Sequence, residues 1–336
     1  MDRSDVIGQS ALLKDLRGLV DSGRVVHSYI FHGPKGGGKR TISSFFAKMI
    51  LCREKDKPCG YCKSCRQFDS GNHPDVIKIK DNNKGIRIEA IREMREEIGI
   101  KPFQGEIKVY IIEDGDTMNP YAQNALLKTL EEPPEHSVII ILAENVATLL
   151  PTIVSRCQRI RVPRLTIAEM ATLIKKEIGS TEEEAQVFAG LSQGLPGRGL
   201  ELARSKEYKQ MRQDTLGILE RLSRSSLSES ISCVDYFMDN RDNIVNILDN
   251  IEQWLRDLMV FKYSNGGELI LNKDKLTQIH GLSQVFTTQA VQYIIDSIED
   301  SKRKLKAHAN FQLTIENLLI RIQGSGEYAG GSRSKI

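Results

Sequence analysis

No hydrophobic run in this chain of 336 residues approaches the roughly 18–20 apolar residues that a membrane-spanning helix needs. The opening Met-Asp-Arg-Ser-Asp carries no apolar segment of the kind found in a secretion signal, so a cytoplasmic location is expected. An excess of one charge is lacking too. Lys and Arg number 47 and Asp and Glu 44, for a formal net charge of +3. That balance excludes a general basic footprint for nucleic acid and leaves any DNA contact to a local patch. Cysteine is scarce, with six in the whole chain, yet four of them stand between positions 52 and 65. The rest of the composition, 40% hydrophobic and 27% charged, is ordinary for a globular protein, and the length allows two or three domains.

Cys52, Cys59, Cys62 and Cys65 follow the spacing C-x6-C-x2-C-x2-C. In a reducing compartment such a cluster favours metal binding over disulfides. Four thiolates match tetrahedral Zn²⁺, and the short C-x2-C steps let neighbouring sulfurs converge on one ion. Lys57-Pro58 before Cys59 and Gly60-Tyr61 after it supply turn residues. One structural zinc ion is expected. With every coordination position filled by protein, it has no catalytic role. Cys157 and Cys233 stand alone and read as core thiols.

Gly33 to Arg40 reads Gly-Pro-Lys-Gly-Gly-Gly-Lys-Arg. An apolar run, Val25–His32, leads into it, and helical spacing over Thr41–Cys52 follows, which is the strand–loop–helix setting of a P-loop. In the pattern G-x-x-x-x-G-K-[ST], backbone N–H groups wrap phosphates, the Lys reaches the outer phosphates and the hydroxyl ligates Mg²⁺. Gly33, Gly38 and Lys39 are in register, with Gly36 and Gly37 inside the loop. Arg40 occupies the hydroxyl position, and Thr41 comes one residue late. An arginine cannot ligate Mg²⁺ and puts a cation where the metal belongs. ATP with Mg²⁺ is expected to be poorly served here, while the retained Gly38-Lys39 leaves phosphate binding open.

Through residue 165 strands and helices alternate. Asp75–Lys80 reads as a strand and Ile88–Ile98 as an amphipathic helix. Lys108–Ile112 is a buried-type strand ending in Glu113-Asp114. In P-loop ATPases the strand beside the loop ends in carboxylates, usually Asp then Glu, one holding Mg²⁺ and the next activating water. The inverted order moves each carboxylate by about 1.5 Å, where catalytic groups tolerate about 0.5 Å. Asn119-Pro120 opens a helix that runs to Glu132, and Val138–Leu142 is a further strand. Asn145 follows it closely, in place for a polar contact between the acids and a terminal phosphate. A short helix, Leu149–Ser155, precedes Arg156 and a strand at Gln158–Val162. Apolar strands separated by helices imply a parallel sheet covered on both faces. The expected fold is thus an α/β P-loop (RecA-like) domain over 1–165 with a zinc module at 52–65. A small helical lid is expected at 166–205, with Thr caps at Thr166 and Thr181 and a turn at Gly194–Arg198. An all-α domain with Trp254 should follow at 206–323, and a Gly- and Ser-rich disordered tail at 324–336.

Lys108-Val-Tyr-Ile-Ile-Glu-Asp114, Asn124-Ala-Leu-Leu-Lys-Thr-Leu-Glu-Glu-Pro-Pro134 and Ser155-Arg-Cys157 occur in this order. Together with Val6-Ile-Gly-Gln9, His27 and the four cysteines, they resemble the AAA+ clamp-loader subunits of bacterial DNA polymerase III. The match runs through residues 1–200. The helical remainder resembles the family's collar domain, with weaker support around Asn310-Phe-Gln-Leu313. The resemblance implies a five-subunit ring with motor (gamma/tau) and delta subunits, within a DNA polymerase holoenzyme. The sliding clamp and primer-template DNA would be met through the assembled complex. It implies that Arg156 is an arginine finger offered to a neighbouring motor's ATP, and that Arg198 matches the position from which motors sense their own phosphate. Arg40, Glu113 and Asp114 side with the family's rigid, non-motor member, which has little or no ATPase of its own. The chain's length also leaves no room for the long extensions of a tau-type motor. An active gamma/tau-like motor is the alternative. A branched-DNA helicase is a third reading, which predicts no cysteine cluster and a C-terminal winged helix.

Overall fold

The computed structural model describes residues 6–80, 85–224, 232–263 and 269–327. They form two compact units. One comprises the residues up to Gly179 together with Ser192–Leu200; the other comprises Ser180–Leu191 and the residues from Glu201 onward.

The first unit is built on parallel strands β1 (Ser28–His32), β2 (Val76–Ile79), β3 (Lys108–Ile112), β4 (Ser137–Ala143) and β5 (Gln158–Arg161), ordered β2-β3-β4-β1-β5. β3 and β4 are buried at every position, as strands covered on both faces must be. Their period-two alternation divides the core in two. Ile30, Tyr110, Ile112, Ile139 and Ile141 face one apolar layer with Ile91 and Met94 of α4 (Ile88–Glu97) and Leu126 of α5 (Pro120–Glu131). Tyr29, Phe31, Val109, Ile111 and Ile140 face the other, with Leu16 of α1 (Ser10–Asp21) and Phe45 and Phe46 of α2 (Lys39–Leu51). A short helix, α3 (Lys63–Asp69), follows the cysteine segment, and a single turn, α6 (Pro151–Val154), precedes β5.

Two sequence expectations are corrected here. The acid-ended β3 does not lie beside the P-loop strand. β4 runs between β1 and β3, so the acids stand two strand spacings, about 10 Å, from β1. Helix α1 has no counterpart in the sequence reading. It starts after Gln9, which has left-handed backbone and makes no capping bond, so the usual start signal is missing.

Beyond β5, α7 (Ile167–Ile178) begins with a full capping box between Thr166 and Glu169 and belongs to the first unit, whereas α8 (Glu182–Leu191) belongs to the second. The stretch 166–205, expected as one lid, is therefore divided between the units, with α9 (Pro196–Arg204) following α8 in the chain.

The second unit contains no strand among the described residues. After α10 (Lys206–Leu222) come α11 (Val234–Asp239), α12 (Ile244–Tyr263), α13 (Leu276–Val285), α14 (Thr288–Lys306) and α15 (Phe311–Glu327). They enclose one core that includes Leu219, Phe237, Trp254, Ile294 and Ile315. Buried Trp254 donates its indole N–H to Asn250 Oδ1 (3.1 Å) and Thr215 Oγ1 (3.2 Å), which satisfies its polar edge inside an apolar core. Helix α15 runs past Gly324, where the tail was expected to begin, because Leu318, Leu319, Ile322 and Ser325 are buried along it. Residues 328–336 of that expected tail lie outside the described residues. Among the described residues no helix is long and apolar enough to cross a membrane.

Candidate nucleotide site and metal centre

The glycine loop joins β1 to α2. Gly36 and Gly38 adopt φ of +72° and +90°, backbone that a side chain would strain. A Cβ on Gly37 would lie 2.9 Å from the Pro34 carbonyl oxygen. The turn leads directly into α2, whose first N–H groups have no helical acceptors, the usual ground for anion binding. The Lys39 ammonium lies within the loop and donates to the carbonyls of Gly33 (2.8 Å) and Pro34 (3.1 Å). Burial lowers its pKa, against the pull of Glu144, Asp116 and Asp114.

Arg40 reaches across to the end of β3. Its Nη2 donates to Asp114 Oδ2 at 2.7 Å, and its Nε pairs with Glu113 Oε2 at 3.2 Å. Lys80 Nζ stands 3.9 Å from the same Glu113 oxygen. Glu113 is buried, whereas the Arg40 side chain is 62% exposed. The guanidinium thus replaces a hydroxyl ligand and also neutralises both carboxylates that would share a divalent ion. Thr41, one residue on, is half-buried in the first turn of α2.

The remaining expected site residues are placed as follows. Asn145 Oδ1 accepts the N–H of Ala147 at 2.9 Å, so the side chain caps its own turn rather than reaching the acids. The chain at Arg198 lies against the glycine loop: Gly197 N–H donates to the Gly36 carbonyl at 2.9 Å, and a Cβ on Gly197 would come within 3.1 Å of Gly36 Cα. Arg156, just past α6, pairs through Nη2 with Glu131 Oε1 at 2.8 Å and donates from Nη1 to the Thr152 carbonyl at 3.0 Å. Its partners are on α5 and α6, not on the glycine loop.

Gln123 was not anticipated. Buried on α5, it donates to the carbonyls of Met118 (3.1 Å) and Thr148 (3.2 Å) and accepts the N–H of Leu150 at 2.7 Å. It ties the segments that follow β3 and β4 to one helix. The one available signal was a glutamine at helical spacing from Leu126 and Leu130, on the side of the helix that is buried.

The four cysteines converge. The sulfurs of Cys52, Cys59, Cys62 and Cys65 all lie within 4.8 Å of one another. Backbone N–H groups of Cys59, Cys62 and Cys65 point at Cys52, Cys59 and Cys62 Sγ respectively, at 3.3–3.5 Å. Burial pushes the Cys59 thiol up, but hydrogen bonds, chiefly from the backbone N–H groups of Cys62 and Tyr61, outweigh it and bring its pKa down to about 7. Burial pushes Cys65 up. Four Zn–S bonds of about 2.3 Å in a tetrahedron set sulfurs nearly 4 Å apart, and Cys59 and Cys65 Sγ stand 3.9 Å apart. The donor set therefore fits one structural metal ion.

A parallel sheet with a glycine loop after β1, between β4 and β5 in the sheet, and a guanidinium bridging to the acids of β3 define a P-loop α/β protein altered at the metal half of its site. A family model described as DNA polymerase III, delta subunit, matches residues 8–166, and a second, for the C-terminal part of the delta subunit, matches residues 207–324. The two models together span most of the chain, which belongs to the DNA polymerase III delta-subunit family. The delta' subunit of DNA polymerase III from Bacillus subtilis is 28% identical over 94% of this chain and 96% of its own length. The tau subunit from the same organism is 28% identical over 95% of this chain, which spans 61% of tau. A gamma subunit-related protein of Thermotoga maritima superposes with a TM-score of 0.44 at 20% identity, covering 94% of this chain and 99% of that one.

Proposed function

We propose that the chain is the delta-prime-type member of a DNA polymerase III clamp loader: a rigid subunit that turns over no ATP of its own and lends Arg156 to the ATP of a neighbouring motor. One observation carries this reading. Arg40 forms ion pairs with both Glu113 and Asp114, the two groups a hydrolytic Mg²⁺ would require. A metal there would meet a fixed positive charge, and without it several kcal/mol of transition-state stabilisation are lost. Identity does not choose between the delta' and tau relatives; the ion-paired Arg40 favours the former. The Arg156–Glu131 pair is partly exposed, and such pairs contribute about 0–1 kcal/mol. A triphosphate presented by a neighbour can therefore take the guanidinium over.

In this reading the all-α unit packs in a five-membered ring with gamma/tau motors and delta. The sliding clamp and primer-template DNA are met by the assembled complex in the cytoplasm, and the cysteine module holds one Zn²⁺. The second reading, an active gamma/tau-like motor, is favoured by the intact glycine geometry at Gly36–Lys39. The purified chain assayed alone for ATP binding and turnover, with and without Mg²⁺, separates the two. The expected outcome is no Mg²⁺-dependent turnover. Brisk turnover that vanishes in Lys39→Ala would overturn the proposal and establish the motor.

A further inference from the structure

A continuous run of hydrogen bonds leads out of the cysteine module. Ser64, between Cys62 and Cys65, donates its hydroxyl proton to the carbonyl of Leu51, the residue before Cys52, at 2.9 Å. The same oxygen stands 3.0 Å from Nε2 of buried His73. On the other side of the ring, Nδ1 accepts the N–H of Asp75 at 3.1 Å. An imidazole accepting at Nδ1 carries its proton on Nε2, so Nε2–H donates to Ser64 and both ring nitrogens are satisfied. Asp75 is fully buried. Its carboxylate accepts the N–H groups of Phe103 (2.5 Å), Gln104 (2.9 Å) and Gly105 (3.0 Å), and its carbonyl accepts from Val109 of β3 at 2.8 Å. The loop fixed in this way holds Phe103 out into solvent at 81% exposure, with Ile100 at 58% close by in the chain. A large ring so exposed on backbone so tightly held is a rigid feature at the surface.

We propose that His73 is a positioning residue that couples the cysteine module to the Phe103 loop: a metal ion held by the four thiolates fixes Ser64, Ser64 fixes the imidazole, and the imidazole fixes the Asp75 cradle. The inference rests on the module holding an ion, as argued above. Burial lowers the His73 pKa, which keeps the ring neutral, as the link needs. Burial raises that of Asp75, but the three backbone N–H bonds outweigh it and hold the carboxylate ionised. The link is local, because Asp75 is also anchored to β3 independently of the module.

Amide hydrogen exchange on the full chain, with zinc content measured on the same preparation, tests this. Stripping zinc with a chelator should speed exchange at Phe103, Gln104 and Gly105 by about tenfold, the worth of one hydrogen bond, while Val109–Ile112 of β3 keep their protection. In His73→Asn, whose shorter side chain can still accept from Asp75 N–H but not reach Ser64, zinc should still bind and the loop amides should no longer respond to its removal. Should that variant fail to fold, Ser64→Ala leaves the His73–Asp75 bond in place and should abolish the response in the same way. Loop amides indifferent to zinc in the unaltered chain would overturn the link. So would an equal response in the variants, or an equal loss of protection in β3. A chain that never holds zinc would overturn the metal reading as well, and the zinc measurement distinguishes that from a bound ion with an unresponsive loop.

Discussion

At Arg40 a guanidinium does what a divalent cation does in a working P-loop: it gathers the carboxylates at the end of β3, two strands away from β1. Arg40→Thr would return a hydroxyl to the loop and leave buried Glu113, among the described residues, with Lys80 as its remaining ion-pair partner, at 3.9 Å. The variant should lose about 1–2 kcal/mol of stability, the range for charge-assisted hydrogen bonds discounted for an exposed arginine. The loss would show as a lower urea midpoint at an unchanged slope. It should also gain Mg²⁺-dependent nucleotide binding, read by titration with and without the metal. Identical behaviour of the two chains would show that something other than Arg40 bars the metal. The replacement itself was legible in the sequence, because the P-loop pattern assigns each position a role. Its partners were not legible as partners: Asp114 lies 74 positions downstream, and no local rule pairs residues so far apart. His73 is a sharper case, since an isolated histidine gives no sign of which hydroxyl or amide it will meet.

Among elements, the helical unit shows the same division. Helical spacing after residue 206 was plain, yet which faces meet was not. Lys302 of α14 is 17% exposed and pairs with Asp249 (2.6 Å) and Glu252 (2.8 Å) of α12 and with Glu299 of its own helix (3.0 Å). Only the pairing with Glu299, three residues away, could be read from spacing. Burial lowers the Lys302 pKa, but its hydrogen bonds to Asp249, Glu252 and Glu299 outweigh this and hold it well above the ordinary lysine range. A raised folded-state pKa stabilises the fold below the unfolded value, about 10.4, and that contribution is lost as pH rises through the folded value. Lys302→Met should destabilise the chain by about 1–3 kcal/mol, since three carboxylates then face one another with their shared cation gone. High salt should recover part of the loss by screening. Thermal unfolding at low and high ionic strength checks both; an unchanged midpoint would mean that the cluster contributes nothing. Helix α1 escaped notice for an opposite reason. Its apolar residues are helically spaced, but its start carries none of the usual capping chemistry.

For the whole molecule, the role proposed for Arg156 is the one that depends on other chains. In the chain alone it is held by Glu131 and the Thr152 carbonyl, a resting place rather than a site. On the proposed reading, Arg156→Ala should fold, assemble as the unaltered chain does and leave any ATP turnover of the isolated chain unchanged. In a reconstituted complex it should depress DNA- and clamp-stimulated hydrolysis at the one interface it serves, on the order of 10³-fold for a lost arginine finger, measured by single-turnover ATPase. Normal hydrolysis in that complex would reduce Arg156 to surface charge.

By itself the sequence determined the strand–helix alternation, the glycine loop with its misplaced hydroxyl, and the four-cysteine cluster. Each of these rests on short-range spacing, which backbone geometry converts directly into local structure. Only the tertiary structure decided that β4 would separate β1 from β3, that Arg40 would bridge the gap to both acids, and that His73 would join Ser64 to Asp75. Those contacts depend on how whole elements pack, and packing brings together residues whose distance along the chain carries no signal of their nearness.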